Sequence, residues 1–400
     1  MKYDLVFEGG GAKGMVFVGA LKEFFGRGHT FDRAMGSSAG AIMSTFLAAG
    51  YTPPEMEAAL SEKKDGEPVF ASFLGSPGPF AEADVRNSTL ADFVAELDIP
   101  GVPESIERRV EAWILNRLLS RQRFFHVFSF LEYGGWYSAD DFLSWMREKL
   151  DTDGPDGQKR DFSADTLQAF FDKTGVELTL LGSDITGKQL LALNHRTAPD
   201  CPVVYAVRMS MSFPFAWPEV IWQKEWGTYR GRDITGHRVI DGGFLSNFPI
   251  ELFLSGAEPV TAVMGPKKNT PVIGLLIDET QDVPNASAVI AAPPDDEKMS
   301  LKELRAVQRI FNLIDTVTQA HDKMVMDTFE NRVVRLPAKG YGTMEFGMSD
   351  EKRAALINVG TARMSAYLDW RETVAFGDGP PDPREAKLAD RIAGGILREP

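Results

Sequence analysis

Residues 3–49 read YDLVFEGGGAKGMVFVGALKEFFGRGHTFDRAMGSSAGAIMSTFLAA, and the order of apolar runs and glycines in this stretch decides the fold. Tyr3 to Phe7 is a short, mostly apolar run that stops at Gly9, as a buried strand does. Met15 to Phe25 carries Val16, Val18, Ala20, Leu21 and Phe24, which suits a mostly buried helix. Residues 31–37 return to the sheet, and Ala41 to Ala49 is a second apolar helix. Strand, helix, strand and helix within so short a span predict an α/β protein: a three-layer α/β/α fold around a mainly parallel sheet.

The rhythm breaks after Pro53. Gly and Pro cluster at 75–79, 100–103 and 154–157, with aromatic-rich helical stretches between them, so residues 53–173 read as an inserted helical cap. Strands resume at Val176–Leu181, Gln189–Leu193, Val203–Val207, Arg238–Ile240 and Val272–Ile277. The expected organisation is a core of 1–52 and 174–280, a mobile loop over 281–299, and a C-terminal part over 300–376. That last part holds a helix over Leu301–Phe329, a strand over Arg332–Leu336 and a helix over Glu351–Trp370. A loosely held tail over 377–400 follows.

Composition narrows the function. The chain has 400 residues, 44% of them hydrophobic, enough for a sizeable core. A formal charge of −14 argues against constitutive binding of nucleic acid or strongly anionic membranes, since the mean field repels both. Cys201 is the single cysteine, which excludes an intrachain disulfide, and no two histidines have metal-ligand spacing. The first apolar run is too short for a signal peptide and no stretch is long enough to span a membrane, so a cytoplasmic location is the expectation, with signal-less export left open.

Gly9-Gly10-Gly11-Ala12-Lys13-Gly14 follows a strand and opens a helix, where glycines admit close backbone approach and the helix start offers free N–H groups. Gly9, Gly11 and Gly14 also fit the dinucleotide-binding pattern, with Asp32 as its acid, or simply a tight turn. Gly36-Ser37-Ser38-Ala39-Gly40 matches G-x-S-x-G between a strand and an apolar helix, a sharp turn that presents Ser38 as a nucleophile, though an N-capping serine turn has the same composition. The two motifs explain each other. A serine nucleophile needs donors aimed at the oxyanion, each worth about 3–4 kcal/mol of barrier. Adjacent parallel strands would set the N–H groups of Gly10 and Gly11 beside Ser38. Lys13 either adds charge there or is an exposed helix lysine.

Serine also needs a base. His237 precedes the run Arg238-Val239-Ile240, which ends at Asp241-Gly242-Gly243. Ligands of open α/β sheets sit at the carboxyl ends of strands, which favours Asp241 and leaves His237 roughly 13 Å away. His195 is a weaker candidate, and Asp-Gly-Gly alone is also a common turn. An Asp can serve if burial raises its pKa and it bonds the serine directly.

With these elements together, the sequence resembles the patatin-like phospholipases. Gly9–Gly14 looks like that family's oxyanion motif, Ser38 its nucleophile between Gly36 and Gly40, and Asp241-Gly242-Gly243 its Asp-Gly-Gly/Ala motif. Met209–Phe215 and Asn247-Phe248-Pro249 look like the family's surroundings of the dyad, while Glu8 stands where many members carry Asp. The resemblance implies a Ser–Asp dyad without histidine that hydrolyses fatty-acyl esters of phospholipids or lysophospholipids, with no metal or organic cofactor. Lipid access points to two stretches. Ile106–Arg123 is a basic amphipathic pattern suited to a membrane surface or to plain core packing. Met209–Trp217 suits an acyl groove or a core strand. The rival readings are a Rossmann-type oxidoreductase, which leaves G-x-S-x-G and Asp-Gly-Gly unexplained, and a catalytically idle membrane- or partner-binding module.

Overall fold

A computed structural model describes residues 1–95, 122–155, 157–284, 325, 326, 328–374 and 383–397. Its main sheet contains β1 (Lys2–Phe7), β2 (Thr30–Gly36), β3 (Glu177–Asp184), β4 (Gln189–Leu193), β5 (Val220–Ile221), β6 (Arg238–Asp241), β7 (Val272–Asp282) and β8 (Val333–Lys339). The strand order is β8-β7-β1-β2-β3-β6-β5, with β4 paired to β3. The β8, β7, β1, β2 and β3 run is parallel throughout, and β4, β5 and β6 pair antiparallel.

Alternation along the strands creates the layers. Tyr3, Leu5 and Phe7 belong to one core, packed by α1 (Met15–Gly26), α2 (Ala39–Ala48), α3 (Val203–Ser210) and α4 (Asp350–Val374). Val6, Met35, Leu181 and Leu276 belong to the other, under residues 251–254, 258–264 and α5 (Pro383–Ile396). Each large apolar side chain so buried contributes roughly 1.5–3 kcal/mol. The result is the three-layer α/β/α arrangement. Between α2 and β3 the described residues carry seven helices, from Pro53–Leu60 to Leu167–Thr174, and a two-residue hairpin.

Three expectations are corrected. Val203–Val207 is helical. Pro202 sits at the N-cap with extended φ and ψ, and Val203, Val204, Ala206, Val207, Met209 and Ser210 are all buried, so packing on nearly every side overrides the β-branched signal. Residues 383–396, expected within a loose tail, form α5, whose amphipathic face buries Ala389, Ile392 and Ala393. Its Asp390 accepts bonds from Ser255, Gly256 and Ala257. Third, β6 runs antiparallel to β3, so the carboxyl-end argument used for Asp241 does not apply to it. The basic pattern at 106–121, most of the loop at 281–299 and nearly all of the helix at 301–329 lie outside the described residues.

Candidate active site

β2 ends at Gly36, and the chain turns through Ser37 and Ser38 into α2. Ser38 has φ 50° and ψ −118°, a conformation that costs a non-glycine residue roughly 1–3 kcal/mol. Neighbours hold it there. The Ser38 N–H donates to the Ser210 carbonyl at 3.2 Å and hydroxyl at 3.1 Å, and the Ser37 hydroxyl donates to the Ser246 carbonyl at 3.2 Å. Side chains are excluded on both flanks. A Cβ on Gly36 would lie 2.2 Å from the Gly40 carbonyl oxygen, and one on Gly40 2.3 Å from that of Phe7.

Asp241 is 3% exposed. Its carboxylate accepts a hydrogen bond from the Gly243 N–H at 2.8 Å, and the Ser38 hydroxyl is near enough to lower its pKa. Its own N–H donates to the Ser212 carbonyl at 3.0 Å. Burial pushes the carboxyl up to about 7, against the downward pull of the Gly243 N–H and the Ser38 hydroxyl. Gly242 packs on Leu181 and Gly243 against Asn247, so the turn after Asp241 is tightly enclosed.

The glycine loop lies alongside. A Cβ on Gly9 would sit 3.1 Å from Ser38 Cβ, and one on Gly14 3.0 Å from Ala39 Cβ. Gly11 has φ +56°, and the Thr343 carbonyl oxygen stands 2.2 Å from where its Cβ would be, so only glycine fits. The Ala12 N–H donates to that same carbonyl at 2.9 Å and the Gly9 N–H to the Asn247 carbonyl at 3.4 Å. Among the described residues, the N–H groups of Gly10 and Gly11 donate to no protein acceptor. Lys13 is 1% exposed and pairs with Glu279, which corrects the exposed-lysine alternative. Glu8 is buried and structural. It accepts from the Ile277 N–H at 2.5 Å and from Asn247 Nδ2 at 3.3 Å.

Ser38 is half-buried at a narrow apolar cavity of about 60 Å³. Met15, Ile42, Leu60, Phe73, Met211 and Trp217 are among its walls. Of the stretch Met209–Trp217, Met211, Phe213 and Trp217 reach this cavity, whereas Met209 is core.

The histidines are engaged elsewhere. His237 Nδ1 lies 2.8 Å from Asp184 Oδ2, beyond the far end of β6 from Asp241. The His195 ring stacks on Phe171 with centroids 3.8 Å apart, near the level of Leu178 at the start of β3. Asp32 is paired with Lys2 and Lys268 and sits in the first half of β2. Register places it near the level of Tyr3 and Asp4, roughly 17–20 Å along the strand from Gly9. A dinucleotide ribose on the loop would not reach it. Among the described residues, no group of three His, Cys, Asp or Glu could hold a metal, and no helix is long and apolar enough to cross a membrane.

A half-buried serine on a strained strand–helix turn, in a three-layer α/β/α protein, is the setting of a hydrolase nucleophile. The patatin-like phospholipase family model matches residues 5–254, well over half of the chain, and the protein belongs to that family. It is 28% identical over 377 residues to the uncharacterized protein YqhO of Bacillus subtilis (strain 168), covering 92% of this chain and 98% of YqhO. Among solved structures it is similar to VipD from Legionella pneumophila (14% identity, TM-score 0.45, 98% of this chain and 74% of VipD). It is also similar to ExoU, solved with SpcU from the type III secretion system of Pseudomonas aeruginosa (18% identity, TM-score 0.37, 99% of this chain). The chain spans 59% of that ExoU structure's length.

Sequence reasoning missed Thr343, whose carbonyl meets both Gly11 and Ala12 from more than three hundred residues away, and no local pattern marks it. It also missed Ser210, the acceptor that holds the Ser38 N–H, although the surrounding segment had drawn notice.

Proposed function

We propose that this protein hydrolyses fatty-acyl esters of phospholipids or lysophospholipids, with Ser38 as nucleophile and Asp241 as its base. In this reading residues 1–52 and 174–280 form the catalytic core and 53–173 the cap. The observation that carries it is the buried carboxyl of Asp241, pushed up to about 7 by burial and near enough to the Ser38 hydroxyl for that hydroxyl to lower its pKa. A base with a pKa near the working pH combines a useful ionised fraction with real affinity for the proton.

Ser38 Oγ attacks the ester carbonyl while its proton passes to Asp241. The tetrahedral oxyanion is held by the N–H groups of Gly10 and Gly11, which donate to no acceptor among the described residues, as that role requires. Lys13 adds positive charge behind the loop, partly offset by Glu279. Collapse breaks the bond to the alcohol oxygen, which takes the proton from Asp241 and leaves as a lysophospholipid or glycerophosphodiester. Water then attacks the acyl-enzyme and gives its proton to Asp241. The second collapse returns that proton to Ser38 Oγ and frees the fatty acid.

The test is labelling by a fluorophosphonate together with fatty-acid release from phospholipid and lysophospholipid vesicles. Wild type should label and release acid, and Ser38→Ala should do neither. Asp241→Asn should fold and lose at least about 10³-fold in turnover. Acid release by Ser38→Ala at the wild-type rate would end the proposal.

A further inference from the structure

Tyr341 to Met348 lies well beyond the family-matched residues 5–254, yet Thr343, Met344, Glu345, Phe346 and Met348 all line the cavity at Ser38. We propose that this segment, through Phe346, is the gauge that sets which acyl chain lengths the cavity accepts. The proposal rests on the reading of that cavity as an acyl-ester site.

Three separate stretches of chain meet at the Phe346 ring. It stacks on Phe70 of the inserted segment, with centroids 6.1 Å apart and planes 19° apart. It packs on Trp217 of the core at 5.9 Å and 59°. Trp217 is itself fixed, since its Nε1–H donates to the Phe73 carbonyl at 2.8 Å. Phe346 is 8% exposed and is one of the residues that line the cavity.

The segment is clamped at both ends. Thr343 holds the Ala12 N–H at 2.9 Å. Glu345 accepts the Gly342 N–H at 3.0 Å and pairs with Lys352. Arg353 donates to the Met348 carbonyl at 2.8 Å. A wall fixed at this many points does not yield to a longer chain, because packed interiors accommodate added volume only with strain. Truncating the ring would open space that the surroundings fill only in part. Each further methylene that gains burial should then favour binding about fourfold.

The test compares wild type with Phe346→Ala and Phe346→Trp in two assays. One is kcat/KM on p-nitrophenyl esters from butyrate to stearate. The other is equilibrium binding of free saturated fatty acids of the same lengths to the Ser38→Ala protein and to the double variants, by calorimetry. Phe346→Ala should move both optima to longer chains and raise the long-to-short ratio about tenfold or more. Phe346→Trp should move both to shorter chains. Unmoved fatty-acid optima in folded variants would overturn the gauge even if ester turnover is intact. Shifted binding optima without turnover in wild type would uphold the gauge and reject the catalytic reading of Ser38. Should Phe346→Ala fail to fold, Phe346→Leu and Phe346→Met give the same comparison with less lost volume.

Discussion

Gly36 and Asp241 follow one another along the same edge of β3, Gly36 opposite Leu180 and Asp241 opposite Gly182. The opposite edge is filled by β4, which pairs from Leu180 to Asp184. β6 therefore takes the edge that β2 vacates when the chain turns away at Gly36. Two residues of strand are roughly 7 Å, so a carboxylate at the end of β6 reaches the first side chains of the turn after β2. The antiparallel direction of β6 brings its last residue inward to the serine and leaves His237 outward. This explains why Asp241 rather than His237 meets Ser38.

The carboxyl of Asp241 must be ionised to take a proton, and it titrates at about 7. The value of kcat/KM on a short soluble ester should therefore rise about tenfold per pH unit below that value and level off above it. A pH–rate profile from 5 to 9 checks this. A flat profile down to pH 5 would mean that the group accepting the proton is not a buried carboxyl.

The same raised pKa lowers stability at neutral pH. Between about 3.9, where an unfolded Asp titrates, and about 7 the folded protein holds a proton that the unfolded chain has released. Stability therefore falls as pH rises through this window, and the loss is complete above it. Asp241→Asn removes the titration. It should be more stable than wild type at pH 8, by at most about 4 kcal/mol, and so melt at a higher temperature there, with the gain fading towards pH 4. Thermal melts of both proteins at the two pH values make the comparison. An equal offset at pH 4 and pH 8 would count against the shift.

Gly11→Ala places a methyl where the Thr343 carbonyl oxygen already lies, at a positive φ. The loop must move, and the N–H groups of Gly10 and Gly11 move with it. Turnover should fall by about 10²–10³ through kcat, with KM changed far less. A variant that loses KM alone would assign the loop to ground-state binding.

His237→Gln should keep ester turnover within about twofold of wild type. The imidazole is bonded to Asp184, on the far side of β6 from the serine, and a glutamine amide can still donate to that carboxylate. Loss of activity with an unchanged melting temperature would reopen a histidine-based mechanism.

Much of the site was legible because its parts are local. Gly36 and Gly40 are demanded by contacts within a few residues of Ser38 or with β1, and Gly9–Gly14 stands out as a glycine run between strand and helix, although what crowds Gly9, Gly10 and Gly11 is the distant Asn247, Ile277 and Thr343. The buried strand β1 and helices α1 and α2 announce themselves through runs of apolar residues. Val203–Val207 was misread because a run of five residues is too short to display a helical period, and its β-branched residues then read as strand. Helix α5 was missed because a Pro-rich approach hides an amphipathic segment that acquires its helix by docking on the second core.

What the sequence determined by itself was the α/β rhythm, the serine turn, the glycine loop and the candidate pair Ser38 and Asp241. The rhythm, the turn and the loop depend on short-range sterics and periodicity, whereas the pairing of Asp241 with Ser38 rests on the family resemblance, since the carboxyl-end argument does not hold for an antiparallel β6. What only the tertiary structure decided was the direction of β6, the burial that lifts Asp241 to about 7, the pairing of Lys13 with Glu279, and the arrival of Thr343 and Phe346 at the site. Those depend on which distant segments exclude water from the same space, and that is settled by packing.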